Sequence, residues 1–462
     1  MTTSARQRLT LAGSITGAAI VALDGTVLTV ARPTMQHDLD ASFTAVQWTS
    51  TAYLIAVAGL LVFAGRLGDR YGHQRVFAIG VLGFAATSAA IGLAPGVGWV
   101  IGLRVAQGVA GALLQPATLG MLRAAYPADR LAMPIALRTS AIGLAAAAGP
   151  VVGGALTAQL GWRAVFFLTV APAVAAGLAA LAVRIPQPPA DPATGSLRSL
   201  DLAGAGLLAA TLACLVHTLV GVPEHGWTAT TQFGLVAATL LGFAFFHQQR
   251  RAAHPLLPPR VIASPTVGSA LGVLLTASAA LFGTLFLATY FLQDVLGLDP
   301  FQCGLRALPL AVTMVAAAPA AAVLMRRHGA RATAGAGMLL VTLGAVLAAR
   351  FDESSGAVAI GSSFLLLGTG FGTVMVTATA VLVRDASVAD AGVAGGLQQT
   401  VMNIGPTLGT AVATLLSAGR PLVAAMGPAL LALAAVAAVG ALLTTRLPGQ
   451  ARAAVAEVRR PG

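Results

Sequence analysis

Two ionisable residues stand where an oily chain would not place them without a reason. Asp24 interrupts the stretch AIVALDGTVLTVA at residues 19–31, and Arg104 interrupts IGLRVAQGVAGALLQP at residues 101–116. A charge near the middle of a bilayer costs about 2.5–3.5 kcal/mol on insertion scales, so each needs a partner, a watery surrounding or a task. An acid and a base buried together can handle a proton. The positive neighbour favours the carboxylate and desolvation favours the neutral acid, so hydration or an arriving cation shifts the balance. Asp24 falls about seven residues before the predicted outer end of its span, and Arg104 about six after the start of its own. At 1.5 Å per residue both are expected about 10 Å below one surface, within reach of each other. The alternative reading makes Asp24 a structural carboxylate capping broken backbone near Gly25 and Thr26, and Arg104 a clamp between helices.

The elements that must position this pair follow from composition. The chain has 462 residues, is 57% hydrophobic and only 9% charged, and its mean hydropathy is +0.85. Such a balance excludes an ordinary soluble domain and fits one integral-membrane bundle. The net charge of +12 comes from arginine alone, since lysine is absent. The arginines occur in small groups between apolar runs, with no aromatic-interleaved patch, so no nucleic-acid partner is expected. Cys214 and Cys303 lie in or beside apolar runs and make neither a disulfide framework nor a metal site. They are expected to pack. The first run is long enough to span and carries no cleavage signal, so it is expected to stay as the first helix.

A window of about 19 residues gives fourteen spans, near 9–31, 46–67, 75–95, 98–121, 134–158, 163–184, 200–221, 230–248, 266–292, 303–325, 332–349, 356–383, 394–418 and 422–445. All are expected to be helices, because only a helix satisfies its own backbone hydrogen bonds within hydrocarbon. Most arginines, including Arg66, Arg70, Arg75, Arg123, Arg130, Arg184, Arg198, Arg250, Arg251, Arg260, Arg326, Arg327 and Arg331, collect on one side if the N-terminus is cytoplasmic. Trp48, Trp99, Trp162 and Trp227 fall at the opposite ends. Both signals predict a multi-pass protein of the cytoplasmic (inner) membrane with both termini in the cytoplasm. The segment Leu67–Gly72 (LGDRYG) is echoed by LMRRHG at 324–329, with Leu, Arg and Gly in register. The offset suits a six-helix bundle over 1–190, an accessory helix pair with linkers over 191–262, a second six-helix bundle over 263–447 and a cytoplasmic tail over 448–462.

Three further segments could carry function. GRLGDRYGHQR (65–75) occupies the short turn between the second and third spans. Gly65 and Gly72 permit close approach and a tight turn, while Asp69, with Arg70 and Arg75 beside it, can pair with an arginine or face a helix N-terminus across the bundle. Such a contact would latch one conformation; the alternative is that these charges only enforce topology. GLAAAAGPVVGGAL (143–156) sets Gly143, Gly149, Gly153 and Gly154 around Pro150, which loosens and kinks a helix that neighbours can press against. Gly-rich packing of any bundle is the plainer account. Gln107, Phe282, Tyr290, Gln398 and Asn403 are candidates for a substrate cavity, against interhelical hydrogen bonding for the amides and core packing for the rings. His217 is expected to be packed or at the lipid edge.

The 65–75 segment resembles the signature of the major facilitator superfamily, with Gly65, Leu67, Asp69, Arg70, Gly72 and Arg75 matching. His73 and Gln74 stand where basic residues are usual, which would make the latch weaker or sensitive to pH. The Pro150 segment resembles that superfamily's antiporter signature, with Ala145 replacing a glycine. ALDGTVLTVARP around Asp24 resembles the first-helix motif of its fourteen-helix drug:proton antiporters of the multidrug efflux type. There Thr29 stands for the usual Asn and Arg32 for an apolar residue. His254–Leu257, Tyr290–Gln293 through Gly297, Gly304 with Pro309, and Gly395–Leu397 also look like that subfamily, although Met402 replaces an arginine.

The resemblance covers nearly the whole chain. It implies an all-α membrane protein with the major facilitator fold, two six-helix bundles plus two accessory helices. It also implies a proton-coupled exporter of small amphipathic or cationic drugs, with protons and membrane lipid as its other partners and no cofactor or metal. A dedicated exporter of one antibiotic or metabolite is the alternative, and a nutrient importer is disfavoured by the Pro150 signature. No nucleotide loop, metal cluster or Ser/His/Asp constellation points to an enzyme.

Overall fold

The computed structural model describes residues 3–182, 201–226, 228–252, 255–298, 300–417 and 422–449. The 183–200 linker, Trp227, His254 and the tail from 450 onward, with the arginines expected there, lie outside the described residues.

Helices occupy nearly all of the described chain: α1 (Thr3–Asp38), α2 (Phe43–Tyr71), α3 (His73–Gly92), α4 (Val97–Ala125), α5 (Ala132–Leu160), α6 (Arg163–Ala182, interrupted briefly at 168–169), α7 (Leu202–His225), α8 (Ala229–Arg251) and α9 (Pro265–Tyr290). The stretch Pro300–Ala348 turns at Gly329 and is two spans, α10 (300–328) and α11 (330–348). α12 (Ala357–Asp385), α13 (Ala391–Ser417) and α14 (Leu422–Thr444) complete the set. Twelve segments are long and apolar enough to cross a membrane, the longest being the double span Gln302–Ala348. With α13, whose buried face carries Gln398, Gln399 and Thr400, fourteen spans are present among the described residues.

The largest boundary difference from expectation is at the end of α1. α1 runs on to Asp38, well past residue 31, through Pro33. Its last turns leave the apolar segment, and the carboxylate of Asp38 accepts a hydrogen bond from Trp162 Nε1 at 2.8 Å and pairs with Arg163 at the start of α6. These partners keep the polar end of the helix wound.

The turn between α2 and α3 is Gly72 alone, at φ 94°, and Gly329 joins α10 to α11 at φ 80°. Both sit in the left-handed region that disfavours a side chain. The sequence echo between 67–72 and 324–329 therefore has a cause: two helix pairs reverse on the same backbone device.

α1–α6 share apolar cores around Phe77, Phe84 and Trp162, whereas α9–α14 enclose a larger one around Phe291, Phe364 and Met338. α7 lies against α2, with Ala209 3.4 Å from the space above Gly59, and reaches α13 through Leu219 and Ala411. α8 packs on α7 and leaves Phe233 and Phe243 outermost, 75% and 70% exposed. Rings in that position suit hydrocarbon rather than water.

The two halves meet at the end that carries the α2–α3 and α10–α11 turns. There Leu119, Leu122, Leu131 and Ile135 pack on Ala380 and Val383, and Ala132 and Ala136 pack on Ala318, Ala321 and Ala322. Nearer the other end, the cluster around Val27, Leu28 and Trp162 draws on the first half alone.

Candidate functional site

Asp24 and Arg104 meet. Nη1 of Arg104 donates to Asp24 Oδ2 at 2.7 Å, and both side chains are almost fully buried. The guanidinium is fixed on other sides as well. Its Nε donates to the Thr49 carbonyl on α2 at 3.0 Å, Nη1 also donates to Gln107 Oε1, and Cζ lies 4.2 Å from the ring centroid of Tyr53. Gln107 Nε2 donates to Asp24 Oδ1 at 3.3 Å and to Ser88 Oγ on α3 at 2.7 Å, and Thr169 of α6 donates to that hydroxyl at 3.4 Å. Five helices thus converge on one ion pair.

The glycines after Arg104 explain how Tyr53 reaches it. A Cβ at Gly108 would stand 2.8 Å from the Tyr53 carbonyl oxygen, and one at Gly111 3.1 Å from its hydroxyl. Bare backbone at these positions lets α2 press close enough for the ring to slide beneath the guanidinium, a contact worth about 2 kcal/mol when desolvated. Gln107, three residues past Arg104, lies on the same helix face.

In the 65–75 segment, Asp69 faces a helix N-terminus across the molecule. Its carboxylate accepts from the backbone N–H of Gly392 at 2.6 Å and of Val393 at 3.0 Å. These are unpaired donors of the first turn of α13, where the helix dipole favours a negative charge. A side chain at Gly65 would overlap the Gly392 carbonyl, and one at Gly392 would meet the Gly65 carbonyl carbon at 2.8 Å, so the two helices touch backbone to backbone. His73 Nε2 lies 3.3 Å from Asp69 Oδ1, and Arg66 lies 3.8 Å from the buried Asp390. Arg70 instead lies over the ring of Tyr71, and Arg75 is exposed.

α5 is continuous through Pro150, which is exposed. A Cβ at Gly149 would stand 2.8 Å from Thr26 Cβ, and one at Gly153 2.9 Å from Val27 Cγ1. The glycine face of α5 therefore rests on α1 directly beside Asp24. Gly143 faces Met314 of α10, while Gly154 makes only ordinary contact with Val30.

The cavity candidates are dispersed. Gln107 belongs to the ion-pair cluster, and Phe282 is half exposed with its ring edge-on to Phe371 at 6.3 Å. Tyr290 is exposed beside Phe286. Gln398 is buried and its amide points to the sulfur of Met375 at 3.9 Å, whereas Asn403 donates to its own helix at the Gln399 carbonyl. His217 stacks on Trp48, with centroids 5.6 Å apart, so the accessory pair is pinned to α2 by rings. Cys303 is buried, and Cys214 is partly buried and not joined to it.

Sequence reasoning did not single out Thr49, Tyr53, Ser88 or Thr169, nor Gly392 and Val393 as the partners of Asp69. For Tyr53, the spacing of Gly108 and Gly111 on the facing helix is a usable signal. Backbone acceptors and donors leave none.

The fold and the site define a membrane transporter. Residues 15–410 match the Major Facilitator Superfamily, and the chain belongs to it. It is 40% identical over 412 residues to the tetracenomycin C resistance and export protein of Streptomyces glaucescens, a match covering 89% of this chain and 76% of that protein. It is 30% identical over 410 residues to the multidrug resistance protein Stp of Mycobacterium tuberculosis, across 88% of this chain and 75% of that one. The human organic anion transporter MFSD10 shares the fold, with a TM-score of 0.66, 12% identity, and coverage of 96% of this chain and 100% of that chain.

Proposed function

We propose that this chain is a proton-coupled antiporter that exports small amphipathic molecules, antibiotics among them, across the cytoplasmic membrane. The observation that carries the reading is the buried pair of Asp24 and Arg104 with Gln107 bonded to both. The relatives named for antibiotic export and multidrug resistance support the direction and class of cargo. Arg66, Arg70, Arg75, Arg326 and Arg327 gather at the end where the halves meet, which supports a cytoplasmic position for that end and for both termini. The halves correspond to 1–190 and 263–447, with 191–262 as the accessory unit and 448–462 as the tail.

In this reading the chain is closed toward the cytoplasm, with Asp69 holding the start of α13. A proton reaching Asp24 neutralises its charge and weakens its hold on Arg104. The guanidinium keeps the Thr49 carbonyl, Gln107 and the Tyr53 ring, so it is not stranded when the acid is neutral. Loss of that attraction frees α1 to shift against α4, and the Gly149–Thr26 contact passes the shift to α5. When the site faces the cytoplasm the proton leaves, the pair re-forms and cargo enters; cargo departs after the halves close there and open outward.

Identity to a relative named for a single antibiotic favours a second reading, a pump dedicated to one compound. A resistance profile in an efflux-deficient host, with and without a protonophore, tests both. Protection against several unrelated amphipaths that a protonophore abolishes is expected. Protection against one compound selects the dedicated pump, and protection that ignores the protonophore overturns proton coupling.

A further inference from the structure

A second buried arginine has no acid. Arg138 on α5 is 1% exposed, and its Nε donates to Thr118 Oγ1 at 3.1 Å. Nη1 and Nη2, with four N–H groups between them, have no hydrogen-bond partner, and no carboxylate among the described residues pairs with the side chain. A guanidinium taken out of water and left unpaired is costly, and a chain keeps one where something else compensates.

Its position says what that is. Arg138 stands among the residues that join the halves at their closed end. Ala132, Ile135 and Ala136 of the same helix pack on α10, α12 and the end of α4, and Ser140 donates to the Val315 carbonyl of α10 at 2.8 Å. Thr118, its one partner, belongs to α4, whose Gln115 accepts from Gln399 of α13 at 2.6 Å. Each of these cross-half contacts must break for the halves to part there. Parting the halves there would uncover the alanine faces of α5 and α10 close to Arg138 and its unpaired donors.

We infer that Arg138 is the recognition site for the acidic group of the cargo, and that the preferred cargo is an organic acid, a carboxylate or acidic enol on an apolar body, taken from the side that is closed here. The inference rests on the export reading and narrows its substrate class. Asp24 alone would favour cations, but it is matched by Arg104, whereas no carboxylate among the described residues pairs with Arg138. The planar fork matches two acidic oxygens, and the alanine faces fit an apolar body.

The test uses the full-length purified chain and two probes of equal size, 9,10-anthraquinone-2-carboxylate and the neutral 9,10-anthraquinone-2-carboxamide, with binding read by titration calorimetry. At least tenfold tighter binding of the carboxylate is expected. Arg138→Gln should erase that preference without lowering the melting temperature, because it removes an unpaired charge, and Arg138→Lys should keep part of it. Asp69→Asn, which weakens the closed end, should strengthen carboxylate binding. Inorganic phosphate at millimolar concentration should not compete.

Equal affinity for both probes, a preference that survives Arg138→Gln, or competition by phosphate alone would overturn the inference. So would a collapse of Arg138→Gln with full binding by Arg138→Lys, which would mark a structural clamp. If the preference depends on Arg138 but no gradient moves the probe into liposomes, the export reading fails and the acid site stands. If transport proceeds without any preference, the reverse holds.

Discussion

At the scale of single residues, Arg104 serves three oxygens and one ring from a rigid plane. A lysine offers one nitrogen and cannot hold that geometry. Arg104→Lys is therefore expected to cut gradient-driven export at least tenfold, about 1.4 kcal/mol, while the protein still inserts, as read by initial rates against membrane abundance. Arg104 keeps the Thr49 carbonyl, Gln107 and the Tyr53 ring without Asp24, whereas Asp24 without Arg104 keeps only Gln107 among the described residues; replacing both members of a buried pair by apolar residues is often neutral or stabilising. The Asp24→Leu/Arg104→Met double variant should thus melt no lower than wild type in detergent and yet fail to transport. The pair itself was legible, because both charges interrupt apolar runs at matching depth. Thr49 and Tyr53 were not, since hydropathy fixes how deep a residue lies but not which way its helix is turned. Arg138 escaped notice for a related reason: it stands close to an arginine-rich helix end, where topology accounts for any positive charge.

At the scale of elements, two contacts tie helix ends together, and each makes its own expectation. Asp69 supplies a charged acceptor to two backbone donors of α13, an interaction of about 1.5–3 kcal/mol per bond. Asp69→Asn should raise amide hydrogen exchange at Gly392 and Val393 at least tenfold, and unchanged protection would remove Asp69 as the latch. At the opposite end Asp38 is held below the ordinary carboxylate value of 3.8 by its hydrogen bond from Trp162 and then by that from Arg163. A carboxyl lowered in the fold contributes stability above its unfolded value and loses it as pH falls through the folded one. The melting difference between wild type and Asp38→Asn should be constant near neutrality and vanish only below about pH 4. Span positions were readable because apolar runs are long and arginine marks their ends. The reach of α1 to Asp38 was not, because the Trp162 and Arg163 partners that hold its last turns come from distant sequence.

At the scale of the whole molecule, the two halves reverse on left-handed glycines, Gly72 and Gly329, and are sealed at the same end. Gly329→Ala, strained at φ 80°, should destabilise by about 1 kcal/mol or more, measurable as a lower melting temperature, with Gly335→Ala, whose new Cβ would lie 3.3 Å from the hydroxyl of Thr444, as the milder control. Fourteen spans and their repeat were visible in sequence because the bilayer imposes length and the turn imposes glycine. Which end is shut was not, because one sequence must serve both states. The most direct test of the central claim is proton movement in liposomes containing the purified chain, followed by an internal pH dye as an exported antibiotic is added. Wild type should exchange protons for antibiotic, and Asp24→Asn should carry antibiotic in gradient-free counterflow with no linked proton movement. Proton exchange that persists in Asp24→Asn at the wild-type ratio would contradict the account.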